Sequence, residues 1–554
     1  MEREDNDMIS FNHLHVHSSF SFADGLATVD KLFKRAKELG MSSLALTEHG
    51  SLASLFDGRK ASLKHGVSYL CGCEFYFQHD NSDENEKRKH LIILAKNDVG
   101  YKNLLALNYE GFKQAKYVAI LNRVFPRIDW KLLEKYHDGL ICTTACSNGP
   151  VSKALFSEQV ENEPTPADLA ELTIMRLKDL FGQDLYLEVQ PHHLQLRVFD
   201  RKTGTEVLKD GNPIIVSDQK VLNDFLISAA KRLGIKLVAT CDVHYLERND
   251  AKVHDLLTAI NDKKPLNDPT RHRYEVEEFY LKSGQEVFDF FKADYDEKVA
   301  REVCASTLEI AAKCEEPKYL DSTGPRFPVF KVKEERDYNE FLKWNKGDTK
   351  NVPEDHLFMR FKVLQAFKKL KLSVEQRKVY KERIQKEINV LEQHNFCSYM
   401  LIVSDFIKRG RENGVRFGEG RGSVCGSLVA YLLRIHDVDP MEYDLLFERF
   451  HNKEKKSFPD IDTDIDPIGR EWVEQYLIGK YGAKQVAHVS NLSTMTPKVT
   501  IKDIARSLEL GGSKSEAFKI ANHITDTIPA DAHTIDEALE ASKEFRDACN
   551  KYPQ

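Results

Sequence analysis

The chain has no apolar run near the roughly 18 residues needed to cross a bilayer, which excludes a membrane-spanning helix. Its first residues, Met1-Glu2-Arg3-Glu4-Asp5, are charged and carry no signal-peptide core. That argues against secretion and for a cytoplasmic protein without membrane partners. Cysteines occur ten times but never as a CxxC pair, Cys71 and Cys73 standing closest. Paired zinc knuckles are thereby excluded, and the thiols read as buried or free in a reducing compartment, Cys146 excepted. There is no surplus of positive charge either. A net charge of −7 is not that of a simple nucleic-acid binder. Internal repeats are also lacking.

What is present is a long, mixed chain. At 554 residues, and with about 150 residues per domain, three or four units are expected. Contents of 41% hydrophobic and 30% charged residues are those of a soluble globular protein. In the first half, residues 43–47 (SLALT), 90–95 (HLIILA), 185–190 (LYLEVQ) and 236–240 (KLVAT) read as short buried strands. Amphipathic helices separate them; one sets Val29, Leu32, Phe33, Ala36 and Leu39 on one face and ends at Gly40. Such alternation implies a parallel sheet or barrel with its chemistry at the C-terminal strand ends. After residue 275 the pattern turns helical and more charged. There Lys368, Lys369, Lys371, Arg377, Lys378, Lys381, Arg383 and Lys386 crowd together, diluted by Glu375, Glu382 and Glu387. A solvated helix face and a local nucleic-acid surface both account for them.

Histidines concentrate at the front. In His13-Leu14-His15-Val16-His17 an extended backbone puts His15 and His17 on one face, where they could chelate one ion. Asp24 follows shortly after, and further ligand types sit at or just beyond strand ends: His49, Glu74, His90, Cys146, Asp242 and His244. One such histidine is usually structural; their recurrence at one rim points to a metal centre. These residues resemble the PHP (polymerase and histidinol phosphatase) family over about the first 270 residues. The resemblance implies a distorted barrel holding up to three metals. His15, His17, Glu74 and Asp242 would surround one, Glu74, His90 and Cys146 a second, and Asp24, His49 and His244 a third. Mixed imidazole, carboxylate and thiolate donors favour Zn²⁺ or Mn²⁺. Hydrolysis of a nucleic-acid 3′ end is the chemistry implied.

Further on, Gly418-Glu419-Gly420-Arg421-Gly422-Ser423 is followed by an apolar helix and then by Pro459-Asp460-Ile461-Asp462. Glycines admit a phosphate close to backbone amides, and a following helix N-terminus would add partial positive charge. Carboxylates one residue apart on an extended segment share a side, which suits a hard divalent cation. With the front end, these motifs resemble the bacterial family C replicative polymerases, the alpha subunits of DNA polymerase III. The resemblance implies Asp460 and Asp462 as Mg²⁺-holding catalytic residues, and Arg421, Gly422, Ser423, Arg449 and Lys498 at the triphosphate. Glu419 stands where the family usually has proline, so a carboxylate there must turn away from bound nucleotide.

The expected fold is α/β: a distorted parallel (β/α) PHP barrel over 1–275, a mixed α+β, nucleotidyltransferase-like palm over 276–490 and a partial helical thumb over 491–554. The expected function is DNA-directed DNA synthesis from a primer-template and dNTPs. Family members use a third aspartate beyond the thumb, and the chain stops before it. The resemblance thus implies the N-terminal piece of a split polymerase, completed by a C-terminal chain carrying the fingers and that aspartate. A sliding clamp and proofreading subunits would be reached through that chain. The alternatives are a stand-alone PHP phosphoesterase or 3′→5′ exonuclease with a vestigial palm, and a non-catalytic assembly piece.

Overall fold

A computed structural model describes residues 9–80, 86–118, 123–159, 164–197, 207–209, 212–213, 215–321, 328–346, 352–455, 458–489 and 491–552. They form two compact units, one of residues 1–321 with 494–554, the other of residues 322–493. Among the described residues no helix is long and apolar enough to cross a membrane.

The first unit is built on six strands: β1 (Ser43–Leu46), β2 (Ser68–Phe77), β3 (Lys89–Ala95), β4 (Leu140–Thr143), β5 (Leu185–Val189) and β6 (Lys236–Ala239). They lie in chain order across one sheet. β1 and β2 run parallel, as do β4, β5 and β6, while β3 is antiparallel to both its neighbours. The edges are bridged by residues 13–17, whose backbone pairs His13 with Leu44 and Val16 with Val243. This curls the sheet towards a barrel and carries His15 and His17 into its mouth. Both sheet faces are covered. On β3, Leu91 and Ile93 join one apolar cluster, and Ile92 and Leu94 join Leu70, Tyr186 and Val238 in the other. Side chains alternate along a strand. Glu74 and Glu188 therefore share the face of Leu70 and Tyr186, the one that lines the barrel.

Helix α1 (Val29–Glu38) buries Val29, Leu32, Phe33 and Ala36. Beyond β6 come α2 (Ala251–Asp262) and α3 (Glu297–Lys313). The first unit runs past residue 275 to Asp321 because α3 is tied onto the sheet: Glu302 accepts from Leu237 N–H, and Thr307 from Asn12 N–H at 3.1 Å. The C-terminal helices belong here too. Leu266 N–H donates to Ser507 C=O at 2.7 Å, seating helix Pro497–Ser507 near the end of α2.

The second unit is helical among its described residues, with one antiparallel bridge, Phe417 to Ile465. Its principal helices are α4 (Glu354–Lys369), α5 (Val374–Gln393), α6 (Cys397–Glu412), α7 (Leu428–Leu432) and α8 (Pro467–Tyr481). α5 opens on a capping box between Ser373 and Gln376, which satisfies two backbone donors. The core gathers Phe341, Phe358, Met400, Leu428, Phe447 and Phe450.

Candidate functional site: a histidine–carboxylate cluster and a glycine-turn seam

The mouth of the barrel draws all nine predicted ligands together. His15 Nε2 lies 2.8 Å from Glu74 Oε2 and 3.1 Å from both His17 Nε2 and Asp242 Oδ1. The other Glu74 oxygen is 2.8 Å from His90 Nδ1 and 2.8 Å from His49 Nδ1. Cys146 Sγ is 3.6 Å from His90 Nδ1. Three sets of donor atoms close to within 4.8 Å: His15, His17, Glu74 and Asp242; Glu74, His90 and Cys146; His17, His49 and His244. The first two are the expected sets. In the third, His17 stands where Asp24 was expected. Asp24 is still beside it, 3.0 Å from His49 Nε2 and 3.6 Å from His244 Nε2.

The electrostatics suit cations. Burial alone raises the Glu74 carboxyl, but His90, His49 and hydrogen bonds from His15 and His17 hold it well below the usual carboxylate range. Asp242 is likewise depressed, burial being outweighed by His15 and His244. Its Oδ1 is buried and accepts no well-formed hydrogen bond, an orphan acceptor aimed into the cluster. Asp242 also sits at a φ of 47°, a strained position for a non-glycine residue. Burial, then Asp242 and Glu74, push the Cys146 thiol well up, so a thiolate there requires an added positive charge. An orphan carboxylate oxygen, several imidazoles and a thiol that needs a cation fit a divalent metal.

Supporting residues were not foreseen. Buried Glu188 accepts from His15 Nδ1 at 2.8 Å and also engages Thr143 and Thr240. Ser21, held by Glu48, is 3.0 Å from His17 Nδ1. His254 and Tyr274 reach Asp24 at 3.3 and 3.2 Å. Only Glu188 had a signal, an acid at a core-facing position of an apolar strand. A cavity of about 580 Å³ opens onto Asp24, His49 and His90, with Phe22, Tyr76 and Phe112 in its walls.

In the second unit the glycine turn and the acidic segment run side by side. Gly418 N–H donates to Asp464 C=O at 2.9 Å, and Arg416 N–H to Asp466 Oδ2 at 2.9 Å. A Cβ on Gly422, whose φ is 69°, would come 3.2 Å from Asp462 Oδ2. Glycine thus serves both the backbone conformation and the close approach. Asp460 and Asp462 are exposed, and Asp460 makes no hydrogen bond or ion pair among the described residues. All three close ligand sets lie in the first unit, none at this pair.

The other residues expected at a triphosphate have these surroundings. Arg421 donates to Asp464 Oδ1 at 3.0 Å and lies 3.8 Å from Asp462 Oδ2. Its charge therefore offsets the acidic segment first. Ser423 opens a 3₁₀ turn, Ser423–Gly426, before α7. The first amides of α7 are not offered to a phosphate: Glu387 accepts from Leu428 N–H at 3.0 Å, Val429 N–H at 2.9 Å and Ser427 Oγ at 2.8 Å. Arg383 pairs with Glu387 and donates to the carbonyls of Gly426 and Leu445. Glu387 is 0% exposed, so it braces the turn instead of diluting a solvated basic face. Burial raises its carboxyl despite those hydrogen bonds. Arg449 is exposed and has no carboxylate partner among the described residues, Glu448 being engaged by Lys386. Lys498 is exposed on helix Pro497–Ser507 of the first unit.

Comparison with known proteins matches two families, one in the first unit and one that covers most of the second unit together with the C-terminal helices of the first. The PHP domain family matches residues 13–192, and the family described as the bacterial DNA polymerase III alpha NTPase domain matches residues 358–554. The DNA polymerase III subunit alpha of Campylobacter jejuni is 34% identical, over 99% of this chain and 43% of its own. That of Helicobacter pylori is 35% identical over 92% of this chain and 40% of its own; that of Borreliella burgdorferi is 34% identical over 94% and 40%. The chain thus spans about two-fifths of these relatives. Among solved structures, a putative metal-dependent phosphoesterase from Bifidobacterium adolescentis aligns with 42% of this chain and 88% of its own, at 19% identity and a TM-score of 0.22, too low to carry an argument.

Proposed function

Because the chain belongs, as an N-terminal portion, to the family of bacterial DNA polymerase III alpha subunits, we propose that it serves template-directed DNA synthesis. The supporting observation is the seam that sets Asp462 against Gly422. A dNTP triphosphate at Gly420–Ser423 would meet backbone N–H groups, with the Glu387–Arg383 brace holding the turn behind them. Asp460 and Asp462 would hold Mg²⁺, which supplies charge neutralisation at the transferred phosphoryl group. Arg449, lacking a carboxylate partner among the described residues, is suited to offset triphosphate charge. Primer-template DNA and dNTPs are the proposed substrates, and the cytoplasm the proposed location. The remaining length of the relatives, in whatever polypeptide it resides, is proposed to supply the third carboxylate and the fingers.

Primer extension tests this with that complementing length supplied. Asp460→Asn or Asp462→Asn should lower kcat about a thousand-fold, as expected for several kcal/mol of lost metal anchoring. Asp464→Asn, whose carboxylate is engaged by Arg421, should cost less than about tenfold. Wild-type rates from Asp460→Asn would sink the polymerase reading.

A second activity is favoured by the three donor sets beneath the aromatic-walled cavity. We propose that Zn²⁺ or Mn²⁺ held there serves 3′→5′ trimming of DNA, the metal supplying an ionised water. Asp242→Ala should abolish trimming and leave extension intact; an unchanged trimming rate would remove that activity from this site.

A further inference from the structure

The basic run that ends α4 does not stay a local feature. Lys362 and Lys369 from α4 meet Lys408 and Arg411 from α6 and Arg434, just after α7, around a cavity of about 490 Å³. Leu370, Tyr431, Leu432 and Leu433 add apolar and aromatic residues to its lining. Carboxylates do not balance these cations. Asp337 takes Lys362 at 2.7 Å, and the single Asp437 serves both Arg411 at 2.7 Å and Arg434 at 3.3 Å. Glu412, also in the lining, is drawn to Arg336 and Arg409. Exposed Lys369 and Lys408 have no ion pair among the described residues.

Helix ends do not absorb the surplus. α4 and α6 terminate here, each with about half an elementary negative charge, which one cation offsets. Arg434 moreover sits at a φ of 62°, a left-handed backbone that costs a non-glycine residue free energy. The rim is linked to the glycine turn, because Asp437 N–H donates to Glu419 C=O at 2.6 Å.

We propose that this cavity binds single-stranded DNA, holding one unpaired nucleotide and its flanking phosphates on the approach to the glycine turn. Cations around a lining that includes leucines and a tyrosine are the elements of a single-strand site, in which the backbone meets charge and the base meets apolar surface. A duplex keeps its bases stacked inside a convex cylinder and cannot enter so small a concavity. The inference rests on the reading that the chain works on DNA.

Anisotropy of a labelled single-stranded oligonucleotide, beside a blunt duplex of equal length, tests it. The variant K369E/K408E/R434E alters exposed side chains, and its fold is checked by circular dichroism. Its single-strand affinity should fall at least about tenfold at low salt. The slope of log K against log salt should drop by about 2, the value for three single-strand phosphates. Duplex affinity should change less than about twofold. Unchanged single-strand affinity and slope, or equal losses for both DNAs, overturn the proposal, as does a wild-type chain that binds no single strand. Asp460→Asn should leave this binding untouched while removing primer extension. The polymerase reading therefore stands or falls on its own assay.

Discussion

Glu188 makes no contact that would earn it a place among the ligands, yet it fixes which nitrogen of His15 faces the cluster. By engaging His15 Nδ1 at 2.8 Å it leaves Nε2 for a cation. Glu188→Ala should therefore lower metal affinity about 10- to 100-fold, read by metal content after dialysis against graded chelator. Retention of full metal content would show that His15 is oriented by other means. His451 is a residue-scale case in the second unit. Burial, then the neighbouring charges of His394 and Lys455, lower it to about 4. A histidine depressed from about 6.5 stays neutral when folded, whereas the unfolded chain takes up a proton between those values. Its contribution is intact above pH 6.5 and lost as pH falls towards 4. Urea unfolding of the second unit should show this slope, and His451→Phe should flatten it.

Among the elements, the Ser423–Gly426 turn and α7 depend on a partner some 40 residues upstream. Glu387→Ala would leave two buried N–H groups without an acceptor and Arg383 without its carboxylate, costing roughly 3–5 kcal/mol. Gly426→Ala would drive a Cβ to 2.4 Å from Leu446 C=O, costing roughly 1–3 kcal/mol. Thermal unfolding should show both, and Glu387→Gln should recover part of the first loss. Strands at this scale were largely legible: the stretches around 43–47, 90–95, 185–190 and 236–240 each became a strand, because short apolar runs bounded by turns are locally distinctive. β2 escaped that reading, since SYLCGCEFYF has no clean alternation and carries Glu74 at its centre. The helix dipole expected behind the glycine turn also failed. What caps a helix end can lie far away in sequence, and here Glu387 does.

At the scale of the molecule, the division into two units implies separable responses. Chelation should lower the melting temperature of the first unit, whose barrel mouth gathers the donor sets, and leave the second where it was. A site held at about a hundred times its Kd contributes about 2.7 kcal/mol, or roughly 3 °C for a unit of this size. Two calorimetric transitions, of which chelator moves one, are the expected record. A chelator-insensitive trace would mean the cluster is stable without metal.

Read alone, the chain determined its donor types, their recurrence at strand ends, the glycine turn and the paired aspartates, since each is a property of a few neighbouring residues. Only tertiary structure decided which donors share an ion, that His17 joins His49 and His244, and that Arg421 answers Asp464. It alone decided that Glu387 spends itself on the amides of α7 and that a scattered set of lysines and arginines encloses a cavity. These outcomes turn on distances between segments tens to hundreds of residues apart. Sheet closure and helix packing set such distances, and no local pattern encodes them.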